Sequence, residues 1–171
     1  MNKIEVISPL DGSIIENLTT TSESELSAAI NHAKAAQPDW ETLGVKNRAQ
    51  IFYRYHNLLQ KHSDELCKLV HQENGKTLNE AKAEVEKAIE VTEFACSMPQ
   101  IMTAESLEVS QGVHCTMNYK PLGVVASITP FNFPVMIPHW TFPIALMAGN
   151  ALLLKPSEKV PLSALKSLEL A

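Results

Sequence analysis

The sequence lacks the patterns that mark several common classes of protein. It has no basic run, and 14 Lys and Arg against 19 Asp and Glu leave a net charge of −5. This balance disfavours binding to a nucleic-acid backbone or to an anionic membrane surface. The first ten residues contain neither the apolar core nor the small-residue cleavage site of a secretory signal, and no Arg-rich presequence is visible. These absences predict a cytoplasmic protein with no nucleic-acid partner and no membrane partner.

Cysteines and histidines are also few and unpatterned. Cys67, Cys96 and Cys115 follow no paired spacing and are expected to be reduced thiols that are buried or incidental. Cys67 and His71 stand four residues apart and could share a metal ion, but no further ligand stands at a supporting interval, so no metal site is predicted. His139 lies in an apolar segment and is interpreted as a hydrogen-bonded core histidine or as a wall of a cleft.

The most informative absence is that of charge between Lys120 and Lys155. An unbroken run of this length would suit a membrane-spanning helix. Asn132 and Asn150 would be costly in lipid, and prolines interrupt the run repeatedly. The prolines are Pro121, Pro130, Pro134, Pro138 and Pro143. A membrane span is therefore disfavoured.

The better interpretation of this run is the start of a doubly wound α/β sheet. A strand rich in Val and Ile over 122–128 precedes a turn at 129–132, and a helix follows with Pro134 in its first turn. The helix runs to about Ala148 and is apolar on nearly every side, so it should be covered by the sheet and by other protein. A second parallel strand over 151–154 completes the unit. Ligands bind outside the carboxyl ends of such strands, so both following turns are expected to face one crevice.

Three side chains in these turns suit a ligand site. The amide of Asn132, placed beside a helix N-terminus, can donate to a developing oxyanion; the alternative is that its side-chain oxygen caps the helix. Lys155 and Glu158 follow the second strand, where nucleotide-binding folds place an acidic group for the ribose of NAD; the alternative is a solvated turn. The first strand is not followed by Gly-x-Gly-x-x-Gly, so a cofactor must be held differently.

The remaining segments predict a scaffold and an exposed strand. Alternation over 111–120 predicts a half-exposed strand, and 160–170 predicts the start of a covering helix with Leu162, Leu165 and Leu168 along it. The scaffold elements are a hairpin over 5–18, a helix from the Ser22 capping box that Pro38 ends, a helix from an Asn47 box to about His71, and a helix from the Thr77 box to about Ala95.

Taken together, these elements divide the chain into three predicted units. Residues 1–110 form the hairpin and three scaffold helices, 111–121 form a β-arm strand for oligomerisation, and 122–171 form the first strands and helices of an incomplete NAD-binding domain. The predicted fold class is α/β, with an incomplete doubly wound parallel sheet, a helical N-terminal segment and a β-arm.

Several short sequence motifs resemble those of the aldehyde dehydrogenase superfamily, and most closely those of its CoA-acylating methylmalonate-semialdehyde dehydrogenase branch. The resemblance covers the chain from about Ile4 onward. The residues that carry it are Trp40, Glu73-Asn74-Gly75-Lys76-Thr77, Glu84-Val85, Ile128-Thr129-Pro130-Phe131-Asn132-Phe133-Pro134, Trp140, Gly149-Asn150 and Leu154-Lys155-Pro156-Ser157-Glu158.

The resemblance implies an NAD site, with CoA as a co-substrate. Asn132 would donate its side-chain amide to a thiohemiacetal oxyanion. The residues implied to contact NAD are Ile128, Thr129, Pro130 and Phe131 on the nicotinamide side, and Lys155, Glu158 and Lys159 near the adenine ribose.

Two basic positions depart from the pattern of the branch. Lys159 stands where the branch commonly has Arg, and Lys87 stands where it places an Arg that holds the substrate carboxylate. Lysine keeps the charge but loses the bidentate grip.

In the resembling family, the Cys nucleophile after a Gly-Gln pair and the general-base Glu lie farther along than Ala171. The chain is therefore expected to be a truncated portion that is inactive alone, because no thiolate forms the covalent intermediate. The expected function is the N-terminal, NAD-binding portion of an NAD-dependent (methyl)malonate-semialdehyde dehydrogenase that acts on a small-molecule semialdehyde. The alternative is a non-catalytic remnant that acts as a binding or assembly module.

The same resemblance assigns the 111–120 strand to an arm that pairs with a neighbouring subunit. A homo-oligomer, or association with the missing C-terminal half, is therefore expected. An isolated chain with this strand unpaired is expected to expose apolar surface and to self-associate.

Overall fold

The chain begins with a β-hairpin in the computed structural model, which describes residues 3–171. Strands β1 (Lys3–Ile7) and β2 (Ile14–Thr19) pair antiparallel, as predicted. The turn between them includes Gly12 with φ of 75°, a conformation that glycine adopts without steric cost.

Helix α1 (Glu23–Thr42) begins at the predicted capping box. The Ser22 hydroxyl accepts the amide of the glutamate three residues later at 3.2 Å, and that glutamate accepts the Ser22 amide at 2.7 Å. The prediction that Pro38 ends this helix is wrong, because the helix continues to Thr42. Its last turn is held from outside, since the indole N–H of Trp40 donates to the carbonyl oxygen of Leu146 at 2.8 Å.

The single long helix predicted from Asn47 onward is two helices, α2 (Val45–Lys61) and α3 (Ser63–Asn74). The chain turns at His62, so that both helices contribute side chains to one core instead of continuing along one axis. Helix α2 begins after Gly44 without a side-chain cap, so the predicted Asn47 box is wrong. The side-chain amide of Asn47 instead donates to the backbone carbonyl oxygen of Leu43 at 3.0 Å.

Helix α4 (Leu78–Cys96) begins at the predicted Thr77 capping box, and the short helix α5 (Met98–Ile101) follows it. A second hairpin then projects from the chain, formed by strands β3 (Glu105–Ser110) and β4 (Val113–Met117). Every residue of both strands is exposed, so the prediction of a half-exposed strand is wrong. The strand β3 was not predicted at all.

The C-terminal third is a βαβα unit, which confirms the predicted fold class. Strands β5 (Val124–Ile128) and β6 (Ala151–Lys155) are parallel neighbours, and α6 (Met136–Met147) connects them. Helix α7 (Leu162–Glu169) follows β6. Pro134 lies before α6 and not in its first turn, which corrects the predicted start of that helix.

The main core lies where α6 packs against the helical scaffold. The opposite side of α6, which includes Trp140 with 51% of its surface exposed, is open within residues 3–171, so the helix is not covered on both sides there. The larger buried apolar side chains of this core are Phe52, Tyr55, Leu59, Leu66, Val70, Val85, Val135, Phe142 and Met147. Among residues 3–171, no helix combines the length and hydropathy that a membrane crossing requires.

Helix α7 faces the core with small residues and with Leu168, which is partly buried against it. Ser163, Ala164 and Ser167 are buried, whereas Leu165 remains 39% exposed. The helix predicted over 160–170 is therefore present, with Leu162 half-buried and Leu165 exposed. Small side chains on this face allow the backbone of α7 to approach α3 closely.

Candidate active site

The turns that follow β5 and β6 lie side by side, as the parallel register requires. Ile128 is the partner of Lys155 across the two strands, and the Thr129 amide donates to the Lys155 carbonyl oxygen at 3.1 Å. Thr129 is buried, while Ile128 is 79% exposed and Phe131 is 52% exposed. The two turns therefore lie at the same edge of the sheet, with apolar surface open beside them, and the crevice between them stays a prediction.

The turn that carries Asn132 is held through its main chain. The Nζ of Lys76 donates to the carbonyl oxygen of Asn132 at 2.7 Å, and the side-chain amide of Asn74 donates to the backbone carbonyl oxygen of Phe131 at 2.8 Å. Asn74 is the last residue of α3, and Lys76 lies in the connection between α3 and α4. Asn132 itself is exposed.

The N-terminus of α6 is capped by a carboxylate from α4. The Oε1 of Glu84 accepts the amide of Val135 at 2.8 Å and that of Met136 at 3.2 Å. Helix α6 has no side-chain cap from its own N-cap residue. The alternative in which Asn132 caps this helix is therefore wrong, because Glu84 supplies the cap.

Glu84 was not predicted as a site residue, although the sequence carries a signal for it. It lies on the apolar face of α4 among Ala81, Val85 and Ala88, and only 2% of its surface is exposed. A charged residue on a buried helical face needs a partner. Its second oxygen accepts a hydrogen bond from the Nζ of Lys76, which also lies 3.9 Å from the centroid of the Phe133 ring.

The turn after β6 contains an exposed ion pair. The Nζ of Lys155 lies 2.7 Å from a carboxylate oxygen of Glu158, and both side chains are more than half exposed. Hydrogen bonding from Lys155 lowers the pKa of Glu158, so the carboxylate is ionised at neutral pH. Lys159 lies over the Phe131 ring, with its Nζ 4.9 Å from the ring centroid, which connects the second turn to the first.

A second buried carboxylate holds α7 in the same way. Glu73 of α3 accepts the amide of Leu162 at 2.7 Å and that of Ser163 at 2.8 Å, together with the Ser163 hydroxyl. It is 2% exposed, and burial raises the pKa of this carboxyl. The scaffold thus caps both helices that follow the two strands, a role that was not predicted for Glu73.

Other candidate residues lie away from the two turns. Lys87 is exposed on α4 and pairs with Glu90 along the same helix. His139 is fully buried and hydrogen-bonded to Tyr55 and to the carbonyl oxygen of Val135, each at 2.7 Å. It is a core histidine and does not line a cleft.

The cysteines do not form part of the site. Cys67 and Cys96 are buried, and burial raises the pKa of the Cys96 thiol to about 11. Cys115 is exposed on β4. Across residues 3–171, no group of three or more His, Cys, Asp or Glu side chains is arranged to hold a metal ion.

Comparison with known proteins identifies relatives along the whole chain. The family model described as the aldehyde dehydrogenase family matches residues 1–171. A malonate-semialdehyde dehydrogenase of Bacillus licheniformis is 42% identical over 167 residues, which are 97% of this chain and 34% of that protein. The chain therefore spans about a third of the length of the curated relatives that it matches.

Solved structures agree with this relationship and with the observed fold. A methylmalonate-semialdehyde dehydrogenase from Oceanimonas doudoroffii superimposes with a TM-score of 0.96 at 39% identity, over 99% of this chain and 35% of that chain. PnpE in complex with nicotinamide adenine dinucleotide superimposes with a TM-score of 0.94 at 32% identity, over the same shares.

Proposed function

Because this chain belongs to the aldehyde dehydrogenase family, we propose that it is the N-terminal, NAD-binding part of an NAD-dependent, CoA-acylating (methyl)malonate-semialdehyde dehydrogenase. The observation that carries the proposal is the exposed Asn132, held through its main chain beside the turn that contains Lys155. In this proposal residues 1–110 are the scaffold, 111–121 belong to an oligomerisation arm, and 122–171 begin the cofactor domain.

The chemistry of the two turns suits NAD. Glu158 is an exposed, ionised carboxylate that can accept hydrogen bonds from the adenine ribose hydroxyls, and it would repel a 2′-phosphate, which favours NAD over NADP. Lys155 and Lys159 add positive charge at the same edge. On the other side, exposed Ile128 and Phe131 offer apolar surface to the nicotinamide half. Pro130 and the buried Thr129 complete the turn that would line it. When bound, NAD accepts a hydride from the substrate.

Asn132 is proposed to stabilise negative charge on the substrate oxygen. In this family a cysteine thiolate attacks the aldehyde carbon, so a carbon–sulfur bond forms and the carbonyl electrons move to oxygen. The Asn132 amide would donate a hydrogen bond to that oxyanion, a contact worth about 100- to 1000-fold in rate at comparable sites. Loss of the hydride leaves a thioester, whose acyl group passes to the thiol of CoA.

The nucleophile of this reaction is proposed to lie outside residues 1–171. Cys67 and Cys96 are buried, and burial raises the pKa of both thiols, which disfavours the reactive thiolate. We propose Lys87 as the contact for the substrate carboxylate. As a point charge, it would give this carboxylate one ionic contact without a bidentate grip.

The test is to join residues 1–171 to the remaining part of the Bacillus licheniformis relative, here named the completed enzyme. We expect it to form NADH from malonate semialdehyde and NAD, to release acyl-CoA when CoA is added, and to prefer NAD to NADP. The unjoined chain should show no turnover. A completed enzyme that binds NAD but forms no NADH from this aldehyde would contradict the proposal.

Glu158 gives a sharper test of the cofactor site. Glu158→Gln in the completed enzyme should weaken NAD binding by about tenfold or more, because a charged hydrogen bond to ribose is lost. Glu169→Gln is the matched control, since Glu169 is also an exposed glutamate near a lysine. Equal NAD affinity in the two variants would remove Glu158 from the proposed site.

A second function, as an assembly module, is favoured by the β3–β4 hairpin. Its apolar side chains are exposed, including Leu107 at 68%, Val113 at 53% and Met117 at 46%. An unpaired hairpin of this kind can add to a sheet of another subunit. Sedimentation of the chain with Leu107→Lys and Val113→Lys tests this role. A wild-type chain that sediments as a monomer would argue against it.

A further inference from the structure

We propose that Lys76 and Glu84 form a positioning pair that fixes Asn132 and thereby sets the rate of the chemical step without touching the substrate. This inference rests on the proposed function, because it takes Asn132 as the oxyanion donor. Its basis is that one ion pair contacts the chain on both sides of Pro134.

The two members of the pair hold different segments of this chain. Lys76 donates to the carbonyl oxygen of Asn132 at 2.7 Å. Glu84 accepts the amides of Val135 at 2.8 Å and Met136 at 3.2 Å. Since the two side chains also bond to each other, the turn and the first residues of α6 are tied to a single point on the scaffold.

Neighbouring contacts fix the direction of the Asn132 backbone. Asn74 donates to the carbonyl oxygen of Phe131, the residue immediately before Asn132, at 2.8 Å. The Phe133 ring, immediately after it, lies 3.9 Å from the Nζ of Lys76. Because the peptide planes on both sides of Asn132 are planar and trans, holding these groups restrains the direction in which the Asn132 side chain leaves the backbone.

Burial makes this pair stiffer than the ion pair in the other turn. The Glu84 side chain is 0% exposed and that of Lys76 is 16% exposed, so displacement of Lys76 would leave the Glu84 carboxylate buried without its cation. The side chains of Lys155 and Glu158 are 58% and 56% exposed, and water screens such a pair strongly. The turn that presents Asn132 is therefore fixed, while the turn after β6 can adapt to a ligand.

Oxyanion donors must be placed accurately, because a displacement of about 1 Å can cost about 100-fold in rate. In the completed enzyme we expect Lys76→Met to lower kcat by about 10- to 100-fold, with KM for NAD changed by less than about threefold. Lys166→Met, which removes a half-exposed lysine from a surface ion pair, is the matched control and should leave kcat unchanged.

A double-mutant cycle with Asn132→Ala distinguishes positioning from general stability. If Lys76 acts through Asn132, Lys76→Met should lower kcat by less than about threefold once Asn132 is alanine, because the group that it positions is already gone. An undiminished effect in the Asn132→Ala background would overturn the inference. If Asn132→Ala alone leaves kcat unchanged, the proposed function fails instead, so the two failures are distinguishable.

A charge-neutral variant covers the case in which Lys76→Met does not fold. Lys76→Met combined with Glu84→Gln leaves no unpaired buried charge, while the donor to the Asn132 carbonyl is still absent. We expect this variant to bind NAD and still to show the reduced kcat. A folded double variant with the kcat of the parent enzyme would overturn the inference.

Discussion

Arg48 and Glu84 bind opposite ends of helix α6. The Nε of Arg48 donates to the carbonyl oxygen of Met147 at 3.1 Å, while the Glu84 carboxylate accepts the first amides of the helix, beginning with that of Val135 at 2.8 Å. A cation at the C-terminus and an anion at the N-terminus both match the helix dipole. The helix that follows the candidate oxyanion donor is thus fixed at each end by the N-terminal scaffold.

Arg48→Lys tests the contact between Arg48 and the C-terminus of α6. Arg48 is 5% exposed and also donates to the carbonyl oxygens of Trp40 and Glu41 at 3.1 and 2.9 Å. Lysine keeps the charge but cannot reproduce the planar fork, so buried carbonyl oxygens lose their donors. We expect urea denaturation to show a loss of about 2–4 kcal/mol in the free energy of unfolding. Arg54→Lys, at an exposed position on α2, is the control and should change it little.

Pro38→Ala should stabilise the chain. Pro38 is exposed inside α1, where it offers no N–H to the carbonyl oxygen of Lys34. Alanine restores that bond and has a much higher helix propensity, so we expect the free energy of unfolding to rise by about 1–3 kcal/mol. Ala36→Gly, at an exposed position in the same helix, should lower it by about 1 kcal/mol. A lower thermal midpoint for Pro38→Ala would contradict this account of α1.

The buried side chain of His139 should make the stability of the protein depend on pH. Its Nδ1 faces the carbonyl oxygen of Val135, which can only accept, so Nδ1 carries the proton. The unprotonated Nε2 lies 2.7 Å from the Tyr55 hydroxyl, which also donates to the carbonyl oxygen of Ser167 at 3.0 Å. Burial lowers the pKa of His139 from 6.5 to about 4, because the charged ring would be desolvated. Between these values the unfolded chain binds a proton at this position and the folded chain does not.

The contribution of His139 to the free energy of unfolding should therefore be fully present above about pH 6.5. It should fall by about 3 kcal/mol as the pH decreases toward 4. Glu73 has the opposite sign, because burial raises the pKa of its carboxyl and protonation favours the folded state. Urea denaturation across this pH window is the measurement. His139→Gln should flatten the fall and Glu73→Gln should steepen it; an unchanged slope in His139→Gln would exclude His139 as its source.

The two buried capping carboxylates provide matched controls for each other. Glu84→Gln should increase amide hydrogen exchange at Val135 and Met136, whereas Glu73→Gln should do so at Leu162 and Ser163. Loss of a charged hydrogen bond predicts an increase of about 10- to 100-fold at the affected amides. Equal changes at both helices in either variant would show that these carboxylates act on global stability and not as local caps.

The strand and turn pattern of the site was predictable because it depends on residues that are close together in the sequence. The Val-rich stretch before Thr129 and the turn after Leu154 predicted two parallel strands with adjacent ends, and both are present. Capping boxes at Ser22 and Thr77 also predicted helix starts correctly, since each depends on residues only three apart.

The contacts that hold the site were not predictable in this way. Glu84 and Val135 are 51 positions apart, and Glu73 and Ser163 are 90 apart, so no local pattern joins them. The same reason explains the error at Pro38, where local propensity ends a helix but contacts with α6 fix its last turn. Buried charge on an apolar helical face was the available signal, and Glu84 carries it.

The most direct test of the account is Asn132→Ala in the completed enzyme, with NADH formation as the readout. We predict that kcat falls by about 100- to 1000-fold while the affinity for NAD is retained, because one oxyanion donor is lost and the cofactor contacts remain. Turnover equal to that of the parent enzyme would contradict the assignment of Asn132 as the oxyanion donor.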